Sequence, residues 1–353
     1  MTHPTCILAL ETSCDETAAA VVEWSDGRIR VLGVSVITQE VVHAEFGGVV
    51  PELASRAHLE KLTPAIRTAL SLAGVQPCHL SAVAAGHRPG LIGSLLVGTS
   101  AAKAFAWSIG KPFLGVDHVH AHLAACHLGA NPPTYPAIGM VVSGGHTHIL
   151  AMEDALHASV LARSRDDAAG EAFDKAASIL GLGWPGGPMI ERAAANGNPK
   201  AFSFEVGGFS GSADFSFSGV KTAMLYAVRG VPTAPNRPAR PAPPPLDATR
   251  TADLAASFQR AIVHALEVGL QRTIPKFQAK SLLAGGGVIR NNQVRAMLLR
   301  VADQHLIALH LAEPHHCTDN AAMIGALAAL RFAEGHSDPL SLSAEPLSLL
   351  ARS

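Results

Sequence analysis

The chain has no paired-cysteine motif, little net charge and no uninterrupted apolar run, and each shortage excludes a class of protein. Its five cysteines, Cys6, Cys14, Cys78, Cys126 and Cys317, are odd in number and show no Cys-x-x-Cys spacing. That argues against a disulfide framework or a zinc ribbon and makes reduced thiols the default. Lys and Arg total 27 against 28 Asp and Glu, a formal charge of −1. No global electrostatic pull on nucleic acid follows, and any RNA contact needs a local patch or a partner. The longest apolar stretch, Gly90 to Gly110, contains Ser94, Thr99, Ser100 and Lys103, which is too polar for a membrane span. Met1-Thr2-His3-Pro4 lacks the basic region of a secretion signal, so a cytoplasmic protein is expected. The glycine loops lack the Gly-Lys-Ser/Thr ending of a P-loop, and His-Glu-x-x-His is missing. Neither Walker-type phosphate binding nor the usual metallopeptidase base is encoded.

What is present is apolar material in alternating short runs. The 353 residues are 48% hydrophobic and 16% charged, enough for two domains with buried sheets. Cys6 to Glu11 and Ala18 to Val22 read as two strands around the polar turn Thr12-Ser13-Cys14-Asp15-Glu16-Thr17. Glu11 and Asp15, with the hydroxyls beside them, suit a loop that meets a phosphate through backbone N–H groups and a bound cation; an ordinary hairpin turn is the alternative. Ala137 to Val142, the turn Ser143-Gly144-Gly145-His146-Thr147-His148 and then Ile149-Leu150 repeat that strand, turn, strand pattern. Two such turns facing each other would grip an adenylate from both sides, and the repetition points to two related lobes.

Further along, Asp174 is the residue type that accepts hydrogen bonds from ribose hydroxyls, and Gly186-Gly187 after Trp184-Pro185 reads as a loop where backbone packs against a base. Lys221 is a candidate for an anionic contact. Between Pro232 and Pro245 lie seven of the 23 prolines, an extended insertion of about residues 231–247. Leu282 to Asn292 reads as a strand, a glycine loop and a helix start, where the Asn291 amide could meet an adenosine edge.

Asp117-His118-Val119-His120-Ala121-His122 is the organising stretch. If it is helical with Asp117 as N-cap, His118 and His122 lie one turn apart on one face, where two imidazoles reach one metal ion. His120 points about 200° round the helix and is poorly placed; Cys126 is read as packing. Asp319, in Cys317-Thr318-Asp319-Asn320, could add a carboxylate or could simply cap the last helix, as could Thr318. Taken alone, the histidines are equally an amphipathic helix with core or solvated imidazoles.

Six blocks together carry more. Glu11-Thr-Ser-Cys-Asp-Glu-Thr17, Gly47-Gly-Val-Val-Pro-Glu-Leu-Ala-Ser-Arg56, Val142-Ser-Gly-Gly-His-Thr147, Asp167-Ala-Ala-Gly-Glu-Ala-Phe-Asp-Lys175, Phe215-Ser-Phe-Ser-Gly219 and Cys317-Thr-Asp-Asn-Ala-Ala-Met-Ile324 span nearly the whole sequence. In order and content they resemble the TsaD family of tRNA-modifying proteins, once labelled O-sialoglycoprotein endopeptidases. The resemblance implies an α/β, actin-like and sugar-kinase-like ATPase (ASKHA) fold. It has two ribonuclease-H-like lobes, residues 1–125 with 320–353 and residues 126–319, and a nucleotide cleft between them. It implies transfer of the threonylcarbamoyl group from L-threonylcarbamoyladenylate to N6 of the adenosine beside the anticodon in tRNAs that read codons beginning with A. The product is t6A, and AMP is released. A metallopeptidase or a small-molecule kinase of the same fold are the alternatives.

By the same resemblance His118, His122 and Asp319 are metal ligands, for iron first and zinc second. Val141, Val142, Ser143, Gly144, Gly145, Asp174, Gly187 and Asn291 would form the substrate segment, with an ATP/AMP-type nucleotide in the cleft. Glu11 and Asp15 are possible cleft carboxylates, and no protein nucleophile is required. TsaB and TsaE are the expected partners, a TsaC-type enzyme supplies the adenylate, and no membrane is involved. Three features depart from the family: His120 where relatives commonly carry Glu, His87-Arg88 where they carry small residues, and the proline-rich insertion.

Overall fold

The computed structural model describes residues 4–208, 211–232, 243–348 and 350. Its strands are β1 (Thr5–Glu11), β2 (Glu16–Ser25), β3 (Arg28–Thr38), β4 (Ala82–Arg88), β5 (Phe113–Asp117), β6 (Ala137–Val142), β7 (Thr147–Met152), β8 (Ala158–Arg163), β9 (Gly207–Gly208), β10 (Phe215–Ser216), β11 (Ser281–Gly285) and β12 (Ala308–Leu311). The helices are α1 (Glu40–Ala44), α2 (Pro51–Ala73), α3 (Ile92–Ser108), α4 (His118–Ala124), α5 (Ala169–Leu180), α6 (Gly186–Ala194), α7 (Ser218–Arg229), α8 (Ala248–Thr273), α9 (Asn292–His305) and α10 (Ala321–Ala333).

Two five-stranded sheets share one topology. The first runs β3-β2-β1-β4-β5 and the second β8-β7-β6-β11-β12. In each, three antiparallel strands in a meander are extended by two parallel ones. The pairing explains the apolar composition of β1 and β2. A strand's side chains alternate between faces, and here both faces are covered. Leu8, Leu10, Ala19 and Val21 pack with Leu62, Ala65 and Ala69 of α2 and with Ala102 and Ala106 of α3. Ile7, Ala9, Ala18 and Ala20 join Met323, Ile324 and Ala326 of α10 on the other side.

That second core continues through α4 to Ile138, Met140 and Leu282 of the other sheet, so α4 and α10 lie between the two sheets. Every residue of α4 is buried, and Ala321 to Ala329 of α10 are buried all round. Alanine and glycine allow such helices to approach closely. A Cβ at Gly285 would strike the carbonyl of His122, which fixes how near β11 comes to α4.

Several local expectations are revised. Gly186-Gly187 is no loop but the first turn of α6. The histidine helix ends at Ala124, and Cys126 and His127 lie in a 3-10 turn. The last helix is capped by Asn320, whose Oδ1 accepts from Met323 N at 3.0 Å, and not by Thr318 or Asp319. The centre of the proline-rich insertion, residues 233–242, lies outside the described residues. Among those described, no helix is long and apolar enough to cross a membrane.

Candidate metal and nucleotide site

Asp117 closes β5 and caps α4: its Oδ1 accepts from Val119 N at 3.1 Å and His120 N at 3.3 Å. His118 and His122 then project from one face, with ring centroids 4.8 Å apart. Asp319, in the turn before α10, reaches the same point. Its Oδ1 is 3.4 Å from His118 Nε2 and 3.4 Å from His122 Nε2. One ligand atom from each of the three falls within 4.8 Å of the others. Asn320 takes the capping duty, which leaves the Asp319 carboxylate free for this role.

The donor set fits a metal ion. His122 is fully buried, yet neither of its ring nitrogens has a hydrogen-bond partner among the described residues. The 3.4 Å approach to Asp319 is an ion-pair distance outside hydrogen-bond geometry. Leaving such a group unsatisfied costs about 1–3 kcal/mol, a cost that coordination removes. His118 is held from behind: Glu11 Oε2 lies 3.2 Å and Ser13 Oγ 3.1 Å from Nδ1, so Nε2 faces Asp319. A carboxylate behind a ligand histidine is the arrangement that fixes ring orientation in metal sites. Burial alone would lower the His118 pKa, but the Asp319 and Glu11 carboxylates outweigh it and hold it well above the usual value. Burial likewise would raise Asp319, but His118 and His122 hold it well below the carboxylate range.

The other sequence-derived residues fall into distinct groups. Val141 and Val142 are fully buried in β6, so only their backbone is available to a ligand. Ser143 Oγ accepts from His146 N at 3.2 Å, closing its own turn. Gly144 and Gly145 are exposed, and a Cβ at Gly144, Gly145 or Gly187 would meet open space. Asp174 Oδ1 accepts from Gly186 N at 2.7 Å. Its carboxyl is pushed up to about 6 by burial, with Asp15 and Glu171 contributing. Asp15 on the first polar turn therefore acts on Asp174 of α5. Asn291 is not a free amide: Oδ1 caps α9 through Gln293 N and Val294 N, and Nδ2 donates to Gln259 at 2.8 Å. Lys221 lies 3.7 Å from Asp167, an ion pair within the fold.

The two polar turns are built alike. Leu91 N, just before α3, donates to Ser13 O at 2.9 Å, and Gly170 N at the start of α5 donates to Ser143 O at 3.2 Å. Residues next to Gly170 leave no room for a side chain, since a Cβ there would meet Ser143 O at 2.5 Å. His120 turns away from the cluster, with Nε2 2.9 Å from Ala155 O. Cys126 is packing, its thiol pushed up to about 12 by burial. The part played by Glu11 and Ser13 behind His118 was not visible in sequence. Only the Asp-His and Glu-Thr-Ser blocks hinted at it, and they are more than a hundred residues apart.

A family model described as TsaD, tRNA N6-adenosine threonylcarbamoyltransferase, matches residues 30–326. The chain belongs to the TsaD family. A tRNA N6-adenosine threonylcarbamoyltransferase of Anaeromyxobacter dehalogenans (strain 2CP-C) is 45% identical over 344 residues, 96% of this chain and 98% of the relative. Its counterpart in Symbiobacterium thermophilum is 45% identical over 343 residues, covering 96% and 95%. That of Rhodopirellula baltica is 44% identical over 354 residues, 96% of each. Among solved structures, HypF of T. kodakarensis aligns with a TM-score of 0.61 at 16% identity, over 94% of this chain and 48% of that one. Component A of (R)-2-hydroxyglutaryl-CoA dehydratase from Acidaminococcus fermentans aligns at 0.50 and 13% identity, over 94% and 99%. At these identities the two structures speak for the fold, an actin-like pair of lobes, and this TsaD-family chain has it.

Proposed function

We infer that this chain is a transferase that moves the threonylcarbamoyl group of L-threonylcarbamoyladenylate to N6 of the adenosine beside the anticodon, in tRNAs reading codons that begin with A, releasing AMP. One observation carries the reading: in a chain of the TsaD family, His118, His122 and Asp319 converge between the two sheets with a buried imidazole that finds no hydrogen-bond partner among the described residues. His118, His122 and Asp319 would hold one divalent ion, iron first and zinc second, from a nitrogen and oxygen donor set. When bound, such an ion supplies Lewis acidity toward a carbonyl oxygen.

The chain's own residues bind and orient. Glu11 and Ser13 keep His118 aimed at Asp319. Gly144, Gly145 and Gly187 let backbone N–H groups approach the adenylate without side-chain obstruction. Asp174 would accept from a ribose hydroxyl. The substrate amine bonds to the carbamoyl carbon as the bond to AMP breaks, so no enzyme nucleophile enters. Cys14, beside Ser13 on the first polar turn, is held well above its usual pKa by burial and by Asp15 and Asp319, which makes it a poor nucleophile at neutral pH.

The lobes in this reading are residues 1–125 with 320–353 and residues 126–319. A cytoplasmic location, partners of the TsaB and TsaE type and a TsaC-type supplier of the adenylate accompany it. The test is incorporation of labelled threonine into tRNA by the purified chain with those partners and the adenylate. Incorporation that requires both tRNA and the adenylate supports the reading. Peptide cleavage, or ATP-dependent phosphorylation of a small acceptor without tRNA modification, would replace it.

A further inference from the structure

The segment after α10 turns back across the ends of β4 and β5. Asp338 N donates to Phe113 O at 2.8 Å, and its Oδ2 accepts from Gly115 N at 2.8 Å and pairs with Arg331 at 3.0 Å. Farther on, Lys103 Nζ donates to Leu342 O at 3.0 Å, His87 Nδ1 lies 3.1 Å from Ser343 O, and Glu345 N donates to His87 O at 2.8 Å. Ser348, buried at 2% exposure, donates through Oγ to Asp117 Oδ2 at 2.6 Å. Arg88 Nε approaches the same oxygen at 3.4 Å, and Arg88 Nη1 lies 3.9 Å from Glu345 Oε2. One carboxylate thus joins the start of the histidine helix, the C-terminal segment and Arg88.

We propose that Asp117 is a positioning residue for His118 and His122, and that the segment from Asp338 to Ser348, with Arg88, clamps it. The proposal rests on the metal reading given above. A helix of seven residues has little stability of its own, so its attitude depends on what anchors its ends. His118 follows the clamped cap directly. Asp319 stands before α10 and the clamp comes after it, so both halves of the ligand group are referred to the same helix. Freeing Asp117 Oδ2 lets the first turn of α4 shift and moves His118 Nε2 relative to Asp319.

The test measures Zn²⁺ affinity of the full-length protein by competition with a chromophoric chelator, alongside the melting temperature of the metal-free form. The variants are Ser348→Ala, Arg88→Ala, Asp117→Asn and, as a ligand control, His118→Ala. Asn is itself a good cap, so Asp117→Asn keeps the helix start while removing the charge. Ser348→Ala and Asp117→Asn are expected to weaken Zn²⁺ by about tenfold or more, the usual range for groups that orient a ligand. The double variant is expected to fall short of the sum of the singles, because both act on one oxygen. Clamp variants that melt lower yet bind Zn²⁺ as the unaltered chain does would show a structural role only and overturn the proposal. If the unaltered chain binds no better than His118→Ala, the metal reading itself fails and the clamp with it.

Discussion

Asp319 Oδ1 stands 3.4 Å from Nε2 of His122, a fully buried ring whose nitrogens find no hydrogen-bond partner among the described residues. The residue after it, Asn320, caps α10. Two adjacent side chains of nearly equal size therefore have different duties, and substitution separates them. Asp319→Asn is expected to lose metal, measured by elemental analysis of anaerobically purified protein, and to melt no lower than the unaltered chain stripped of its ion. Asn320→Ala is expected to keep metal and lose about 1 kcal/mol of stability, the usual worth of a cap, measured by urea unfolding.

Removing either imidazole should abolish metal retention and threonylcarbamoyl transfer together. His122→Ala also empties a space in the layer between the sheets, so its circular dichroism spectrum is checked against the unaltered chain. Full transfer by a metal-free His118→Ala, His122→Ala double variant would sink the metal reading. Stripping the ion with a chelator should lower the melting temperature of the unaltered chain. Binding to the folded state alone at a hundred times Kd contributes about 2.7 kcal/mol.

Stability should fall on acidification through a window set by buried histidines. Burial lowers His148 to about 4, with Arg163 adding to the effect, and lowers His316 to about 4. A folded value below the unfolded one means that the folded chain holds fewer protons. The stabilisation is present above pH 6.5 and is lost as pH falls toward 4, each site contributing at most on the order of 3 kcal/mol. Asp174 has the opposite sign. Its raised value of about 6 makes the folded chain bind a proton first, so its own contribution improves as pH falls through 6. Melting curves between pH 7.5 and 4.5 check the balance, and His148→Asn with His316→Asn should flatten the decline.

Gly285→Ala places a methyl against the His122 carbonyl. Backbone on both sides must shift, and a loss of about 1–3 kcal/mol is expected, measured by urea unfolding. Metal affinity should fall as well, because the displaced carbonyl belongs to a ligand residue. Unchanged stability would mean that β11 and α4 do not approach as closely as described.

Much of this architecture is legible in the chain itself. Alternating apolar runs predict strands, and the repeated strand, polar turn, strand at Glu11 to Thr17 and at Val142 to Thr147 anticipates two lobes of one topology. Asp117 reads as a cap and His118 and His122 as one face, because helical spacing is a local property. Gly186-Gly187, by contrast, reads as a loop in sequence and is the first turn of α6. Glycine pairs usually break helices, but a Cβ at Gly186 would meet the Asp174 backbone, so a long-range contact and not local preference sets that helix start. An amide such as that of Asn291 can meet a base edge or cap a helix, and its neighbours show that it caps α9 and binds Gln259.

Sequence by itself determined the alternation of strands and helices and the pair of imidazoles, since these depend on periodicity and residue type within a few turns, while the fold class followed from the resemblance that the six blocks carry. The tertiary structure alone decided that Asp319 and not Asn320 is free to meet them, that Glu11 stands behind His118, and that Ser348 closes on Asp117 from the far end of the chain. Those decisions join residues as much as 231 positions apart. Contacts across such distances are fixed by the packing of two sheets on α4 and α10, which no local pattern encodes.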